Sequence, residues 1–266
     1  MIQPEMPIME GPNCPLPISE RGHIVIGYGS GGQMTHDLVR DVFQKRLANT
    51  ILNAANDAAS IPATPPGKRL VVSTDAHIVS PLFFAGGDIG RLAVCGTVND
   101  VAMLGAEPRY LTATFILEEG FSIEELERIV DSFAEACREA GVELVAADTK
   151  VTEKGKSDKL FISTTGFGWV ESALQIGGEQ AKPGDAVIIS GAVGNHGIAV
   201  AEARGNLGFS SQVCSDTAPL NHMVKALLDA DLDVHVLRDP TRGGLATTLV
   251  EIVRQSQISI ELDEEN

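Results

Sequence analysis

Apolar positions along the chain change spacing repeatedly, and the changes divide it into strands and helices. Residues 23–28 (HIVIGY) predict a short strand, and Gly29, Ser30, Gly31 and Gly32 predict a tight loop after it. A helix is expected from about 35 to 48, where Leu38, Val42, Phe43 and Leu47 recur on one face. Residues 70–74 (LVVST) read as a buried strand ending at Asp75. Residues 88–105 read as a helix rich in Gly and Ala, and 110–117 as a further strand. Ser122 and Glu125 form a capping box for a helix whose Leu126, Val130, Phe133 and Cys137 share a face, and Gly141 supplies its stop. Strands at 142–147 and 160–167 complete a first α/β unit.

The stretch 169–185, with its KPGD turn, is the natural boundary. A second unit follows, with strands expected at 186–190, 234–237 and 258–262, and helices near Ile198, near Pro219 and after Gly244. The expected organisation is therefore an arm over 1–22, a first domain over 23–170 and a second over 171–266. The last residues follow an apolar strand with no decay into a polar tail, so the second domain is expected to be incomplete.

With 266 residues and 44% hydrophobic content, the chain has enough apolar mass for one or two cores. Its 36 acidic residues against 20 Lys plus Arg give a formal charge of −16, which repels a phosphate backbone and argues against nucleic acid as a partner. The excess is either a solvated surface or partly a set of carboxylates gathered for a metal and its nucleotide. Cys14, Cys95, Cys137 and Cys214 lie far apart with no CxxC pair, which predicts neither a disulfide framework nor a zinc site. No stretch approaches ~18 uninterrupted apolar residues and the N-terminus lacks a signal-peptide pattern, so no membrane association and a cytoplasmic location are expected.

Gly27-Tyr28-Gly29-Ser30-Gly31-Gly32 satisfies G-x-G-x-x-G, but no second strand ending in an acid follows at the distance a dinucleotide fold requires. A Walker loop fails because Gly155-Lys156-Ser157 would need its first glycine where Lys150 stands. Another device is visible in Asp57, Asp75, Asp100 and Asp148, which end strands or stud loops. Converging aspartates hold Mg2+ and, through it, ATP phosphates. Each is equally an ordinary turn or cap residue on its own. Residues 191–197 (GAVGNHG, with Asn195 and His196) and 238–244 (RDPTRGG, with Asp239 and Arg242) are anion-binding loops or, alternatively, tight turns ahead of helix caps.

The run from VVSTDAHIVSPLFFAGGDIGRLAVCGTVNDVAMLGAEPRY onward, ADTKV followed by DKLFISTTGFG, then SGAVGNHG and LRDPTRGGLATTLVEI, together resemble the hydrogenase maturation factor HypE family. That family is part of the ATP-binding superfamily of aminoimidazole ribonucleotide synthetase, selenophosphate synthetase and thiamine monophosphate kinase. The resemblance implies an α/β (α+β) protein of two PurM-like domains, dimeric through its N-terminal domains, with ATP in the interdomain cleft and at the dimer interface. It implies an enzyme that accepts a carbamoyl group on a C-terminal cysteine from HypF and uses ATP to dehydrate the thiocarboxamide to a thiocyanate. The cyanide then passes to the HypC–HypD complex.

It further implies that Asp75, Asp100 and Asp148 organise Mg2+ and phosphate, with Asp57 near them. The loop of Gly29, Ser30, Gly31 and Gly32 would close over the phosphates. Thr149, Asn195, His196, Asp239 and Arg242 would line the cleft. Lys150, with Asp148, is the implied catalytic group, as an ammonium beside phosphate or as a base if burial lowers its pKa; its simple alternative is charge pairing with Asp148.

Family members continue to an Asn-Glu-Gly segment and a terminal cysteine, whereas this sequence ends at Asn266 and its last cysteine is Cys214. It is therefore expected to be a partial or inactive form; alternatives are a non-catalytic ATP-binding or dimer-forming relative, or another synthetase or kinase of the superfamily. Ala147 stands before Asp148 where the family has glycine, and Asn56 before Asp57 is a departure of the same kind. The reactive cysteine typical of selenophosphate synthetase near the glycine loop is missing beside Gly29, which counts against that alternative.

Overall fold

The computed structural model describes residues 22–54, 56, 58–205, 208, 211–230 and 232–262. The predicted arm over 1–22, apart from Gly22, lies outside them, and so does Asp57.

A four-stranded sheet in the order β1-β6-β4-β5 forms the first unit, with β1 at Lys68–His77, β4 at Glu107–Glu118, β5 at Glu143–Thr152 and β6 at Leu160–Glu171. A two-stranded ribbon, β2 (Phe83–Phe84) and β3 (Gly87–Asp88), precedes helix α3 (Ile89–Ala102). The β1–β6 and β4–β6 pairs are antiparallel, and β4–β5 is parallel. A parallel pair needs a long crossover, which α4 (Ile123–Ala140) supplies.

Strand alternation decides which face is covered. Leu111, Ala113, Phe115 and Leu117 of β4 point to the helices and are buried, and the intervening residues point to the other face. Phe115 is the centre of the core, with its ring 4.9 Å from Phe43 and 5.6 Å from Phe133. Small residues bring α3 down on its neighbours. A Cβ at Gly90 would stand 2.3 Å from the Ile129 carbonyl oxygen of α4, and Gly166 and Gly168 of β6 leave room for Thr97 and Val101. Among the described residues no helix packs on the opposite face, where Leu70 is 48% and Val72 51% exposed.

The local signals at helix ends hold. Asp88 is the N-cap of α3, accepting from the Gly90 and Arg91 amides at 2.7 and 3.0 Å, so the helix begins one residue after the predicted start. Ser122 Oγ accepts from the Glu125 amide at 3.3 Å, and Gly141 ends α4 in the left-handed region at φ 69°. The helix predicted from about 35 is broken into α1 (Gln33–Leu38), a π-helical turn (Val39–Gln44) and α2 (Lys45–Leu47). The wide turn keeps Leu38, Val42, Phe43 and Leu47 all buried.

Four strand predictions fail. Residues 23–28 form one bridge, His23 to Ser122, and then a 3-10 turn at Ile26–Gly29. Ile24 is fully buried and trades backbone hydrogen bonds with Gly120 and Phe121, so a loop, rather than a sheet edge, takes its polar groups. In the second unit the three helices form, as α5 (Asn195–Ala203), α6 (Asn221–Asp229) and α7 (Gly244–Ser256).

Residues 186–190, 234–237 and 258–262 pair with no strand among the described residues, and Ile188 is 87% exposed. An apolar run becomes a strand only when a partner takes its backbone groups. The KPGD turn does form, with the Lys182 amide donating to Asp185 Oδ2 at 2.8 Å, and His235 Nδ1 lies 2.9 Å from the same carboxylate. No helix among the described residues is long and apolar enough to cross a membrane.

Candidate functional site

The predicted site residues fall into three places. The first is where the loop ahead of α7 meets β1 and α3. Period-two alternation puts Ser73, Asp75 and His77 on the helix-covered face of β1. Ser73 Oγ donates to Asp100 Oδ2 at 2.7 Å, which fixes that carboxylate against the strand. Arg242 Nη2 reaches within 3.6 Å of Asp75 Oδ1.

Burial, above all, pushes the Asp100 carboxyl above its usual range; Ser73 opposes this by hydrogen bonding and the Asp75 charge adds to it. Asp239 is pushed up to about 6, first by burial and then by the charge on Asp100. Three carboxylates therefore share one field, partly offset by the guanidinium groups of Arg238 and Arg242.

Beside them sits His77, which the sequence reading missed. It is 6% exposed, with Nε2 3.3 Å from Thr164 Oγ1 and 3.9 Å from Asp75 Oδ2. Burial pushes its pKa down, so the ring is kept neutral against the pull of Asp75. Gly96 makes space for it, because a Cβ there would stand 3.0 Å from the imidazole Cε1. Ser73 and His77 were legible from strand parity once Asp75 was chosen; the pairing of Ser73 with a helix residue was not.

The second place is at the far edge of the sheet. Lys150 Nζ pairs with Asp148 at 2.7 Å, and both side chains are about as exposed, at 63% and 60%. The burial that a base role for Lys150 would need is absent, and the charge pairing with Asp148 is present. Thr149, between them, is buried toward the helices.

The glycine loop lies against the same strand. A Cβ on Gly29 would stand 2.9 Å from the Val151 amide nitrogen, so only glycine allows this seat. The loop is tied internally, with Ser30 Oγ donating to the Gly27 carbonyl and Thr35 Oγ1 to the Tyr28 carbonyl, each at 2.7 Å. Gly31, at φ 79°, takes the left-handed conformation, and Gly32 precedes α1 as its N-cap.

These two places are far apart within one chain. Asp75 is in register with Thr164, Thr164 with Ala113, and Ala113 with Ala147, so Asp148 is about three strand spacings away, roughly 14 Å. It also faces the opposite side of the sheet, aligned with Thr114 and Ser163. Within a single chain Asp148 therefore does not converge with Asp75 and Asp100, the aspartates the resemblance assigns with it to Mg2+ and phosphate. Among the described residues no three acidic, His or Cys side chains are grouped closely enough to hold a metal by themselves.

The third place is the start of α5. Asn195 opens that helix after Gly194 at φ 85°. His196 Nδ1 lies 3.0 Å from Ser215 Oγ and its ring packs edge-on against Phe84 at 5.2 Å. This histidine is hydrogen-bonded and partly buried, and burial pushes its pKa down. A shallow cavity of about 310 Å³ lined by His23, Glu118, Phe121, Ser122, Lys154 and Lys159 includes none of the predicted site residues.

The chain matches the family model of AIR synthase related protein, N-terminal domain, over residues 55–170, and that of the C-terminal domain over residues 182–266. It is 52% identical over 243 residues to carbamoyl dehydratase HypE of Cupriavidus necator, an alignment that covers 91% of this chain and 69% of that protein. Among solved structures, hydrogenase maturation protein HypE in complex with ATP superimposes with a TM-score of 0.83 at 53% identity, over 88% of this chain and 69% of the other. The structure of a HypE–HypF complex matches with a TM-score of 0.69 at 50% identity, over 83% of this chain and 70% of that one. The fold is accordingly a mixed α/β arrangement of N-terminal and C-terminal AIR-synthase-related domains.

Proposed function

Because the chain belongs to the HypE family of carbamoyl dehydratases, we propose that it serves [NiFe] hydrogenase maturation by ATP-dependent dehydration of a cysteine thiocarboxamide to a thiocyanate. The observation that carries this is the meeting of Asp75, Asp100 and Asp239 with Arg242 where the second unit faces β1. Carboxylates held together with a guanidinium beside them are what a nucleotide polyphosphate with its cation requires.

The donor set suits Mg2+ bound by Asp75 and Asp100. Mg2+ needs only one or two carboxylates when phosphate oxygens and water complete its shell. When bound, the ion would neutralise phosphate charge. Arg242 supplies a second positive charge to the same phosphates, and Asp239, Asn195 and His196 line the cleft.

Asp148, Thr149, Lys150 and the loop Gly29–Ser30–Gly31–Gly32 are proposed to act on the ATP of a second copy. The uncovered sheet face carries Leu70, Val72, Tyr110 and Trp169 on the same side as Asp148 and Lys150, and packing two such faces would form a homodimer. Dimerisation would bring the Lys150 edge of one copy toward the Asp75 edge of the other. Lys150 acts there as an ammonium ion beside the phosphates.

The chemistry follows from the poor leaving ability of an amide oxygen. Transfer of the ATP γ-phosphoryl group to the carboxamide oxygen releases ADP. Loss of phosphate with the two nitrogen protons then leaves the nitrile of a thiocyanate. The protein positions the reactants and neutralises charge through both steps. HypF is the proposed carbamoyl donor, by analogy with the HypE–HypF complex, and the HypC–HypD complex the proposed acceptor of cyanide.

The test offers the protein a peptide bearing an S-carbamoyl cysteine, with Mg-ATP, and follows the peptide mass. ATP-dependent loss of one water is expected. An unchanged peptide under conditions where Mg-ATP binds would overturn the dehydratase assignment.

A further inference from the structure

We propose that Asn99 is a positioning residue that clasps the second unit to α3 and so holds Asp239 and Arg242 over Asp75 and Asp100. The proposal rests on the ATP-site assignment above. Asn99 and Asp100 are neighbours on α3 that look in different directions. Asp100 accepts from Ser73 of β1. Asn99 turns to the second unit, where Nδ2 donates to the Ala218 carbonyl at 3.0 Å and Oδ1 accepts from the Leu220 amide at 2.7 Å.

Using donor and acceptor of one amide on the same backbone segment fixes both the side-chain orientation and the register of that segment. Apolar packing alone does not specify register in this way. Leu220 leads directly into α6, whose Val224 is buried against Ala102 and Met103 at the end of α3. Leu237 packs in the same cluster, and the next residues are Arg238 and Asp239. A short physical path therefore runs from the Asn99 clasp through α6 and Leu237 to the groups that face Asp100.

The clasp has a load to hold. Asp239 of the second unit shares its charge sign with Asp75 and Asp100 of the first, and this like charge opposes their approach while Arg242 attracts Asp75. Other bonds cross the same boundary: Arg91 Nε donates to the Thr217 carbonyl at 3.0 Å, and Asn221 Nδ2 donates to the Ala140 carbonyl at 2.9 Å. Neither of these side chains is adjacent in sequence to a carboxylate of the cluster. Of the three, Asn99 alone stands next to a carboxylate of the cluster, Asp100.

The experiment compares wild type, Asn99→Ala and Asn221→Ala by hydrogen exchange at the Leu220 amide without nucleotide and by Mg-ATP titration calorimetry. Asn99→Ala is expected to expose the Leu220 amide to exchange and to weaken Mg-ATP by about tenfold, the loss of two ordinary hydrogen bonds. Asn221→Ala removes a bond across the same boundary and is expected to stay within about twofold of wild type. Equal effects of the two variants on Mg-ATP affinity, or unchanged affinity in Asn99→Ala, would overturn the proposal.

If wild type itself does not bind Mg-ATP, the ATP-site assignment fails. The clasp is then judged by exchange, and a Leu220 amide equally protected in Asn99→Ala overturns it. Should that variant not fold, Asn99→Asp keeps the acceptor for the Leu220 amide but replaces the donor to Ala218 with a charged oxygen that repels that carbonyl. It is expected to retain Leu220 protection and to weaken Mg-ATP, and unchanged affinity again overturns the proposal.

Discussion

Arg242 Nη2 stands 3.6 Å from Asp75 Oδ1 while 92% of the arginine side chain remains exposed, so the pair joins two units through water-accessible charge. An exposed ion pair contributes little to stability, whatever it does for a ligand. Arg242→Ala is expected to change unfolding free energy by less than about 0.5 kcal/mol. The same variant, and Asp75→Asn, should each weaken Mg-ATP by about tenfold or more, the worth of a charge-assisted contact. Calorimetric titration checks this, and affinity equal to wild type in Asp75→Asn would remove that residue from the site.

Asp239 gives a pH dependence with a definite sign. Its carboxyl is raised to about 6 in the fold from the usual 3.8, so the native protein holds this proton over a window where the unfolded chain has released it. Stability contributed by the proton is therefore lost as pH rises from about 4 toward 6. Asp239→Asn removes that loss. It should be more stable than wild type above about pH 6 by about 1 kcal/mol, after allowance for partial exposure, and no more stable near pH 4. Thermal melts of both proteins across this range decide it, and a parallel pair of curves would contradict the assignment.

The uncovered sheet face predicts an assembly. Val72 is 51% exposed at its apolar surface, and Leu70 on the same face is 48% exposed. Val72→Asp places a charge where two copies would meet, and should convert a dimer into a monomer without unfolding it. Light scattering on the eluted protein measures the mass. A wild-type monomer, or a dimeric Val72→Asp, would count against packing through this face.

The contact between α3 and α4 predicts a large stability effect far from any ligand. A Cβ at Gly90 would fall 2.3 Å from the Ile129 carbonyl oxygen, where a backbone atom has no rotamer to retreat into. Gly90→Ala should destabilise the protein by about 2 kcal/mol, within the range for overpacking. Denaturant unfolding gives the value. A loss below about 0.5 kcal/mol, the size of an ordinary surface substitution, would mean that the two helices separate with ease.

Helix ends and the first sheet were legible because their causes are local. Ser122 caps α4 through an amide three residues away, and Gly141 stops it through a backbone angle that favours glycine. Leu111, Ala113, Phe115 and Leu117 declare a buried face by alternation alone. The residues 186–190 carry an equally apolar pattern and yet pair with nothing among the described residues. Pattern predicts which side chains avoid water, but a ladder also needs a second strand at the right place.

For the site, the sequence by itself determined which residue types are present and that Asp75, Asp100, Asp239 and Arg242 stand near element ends. It carried the family in the order of its motifs. Only the tertiary structure decided that these four meet, that Asp148 and Lys150 lie at the far edge of the sheet on its other face, and that Asn99 spans the two units. The reason is that type and spacing are written along one dimension, whereas strand order, face and interdomain contact depend on chain crossings that bring residues more than a hundred positions apart into hydrogen-bonding distance.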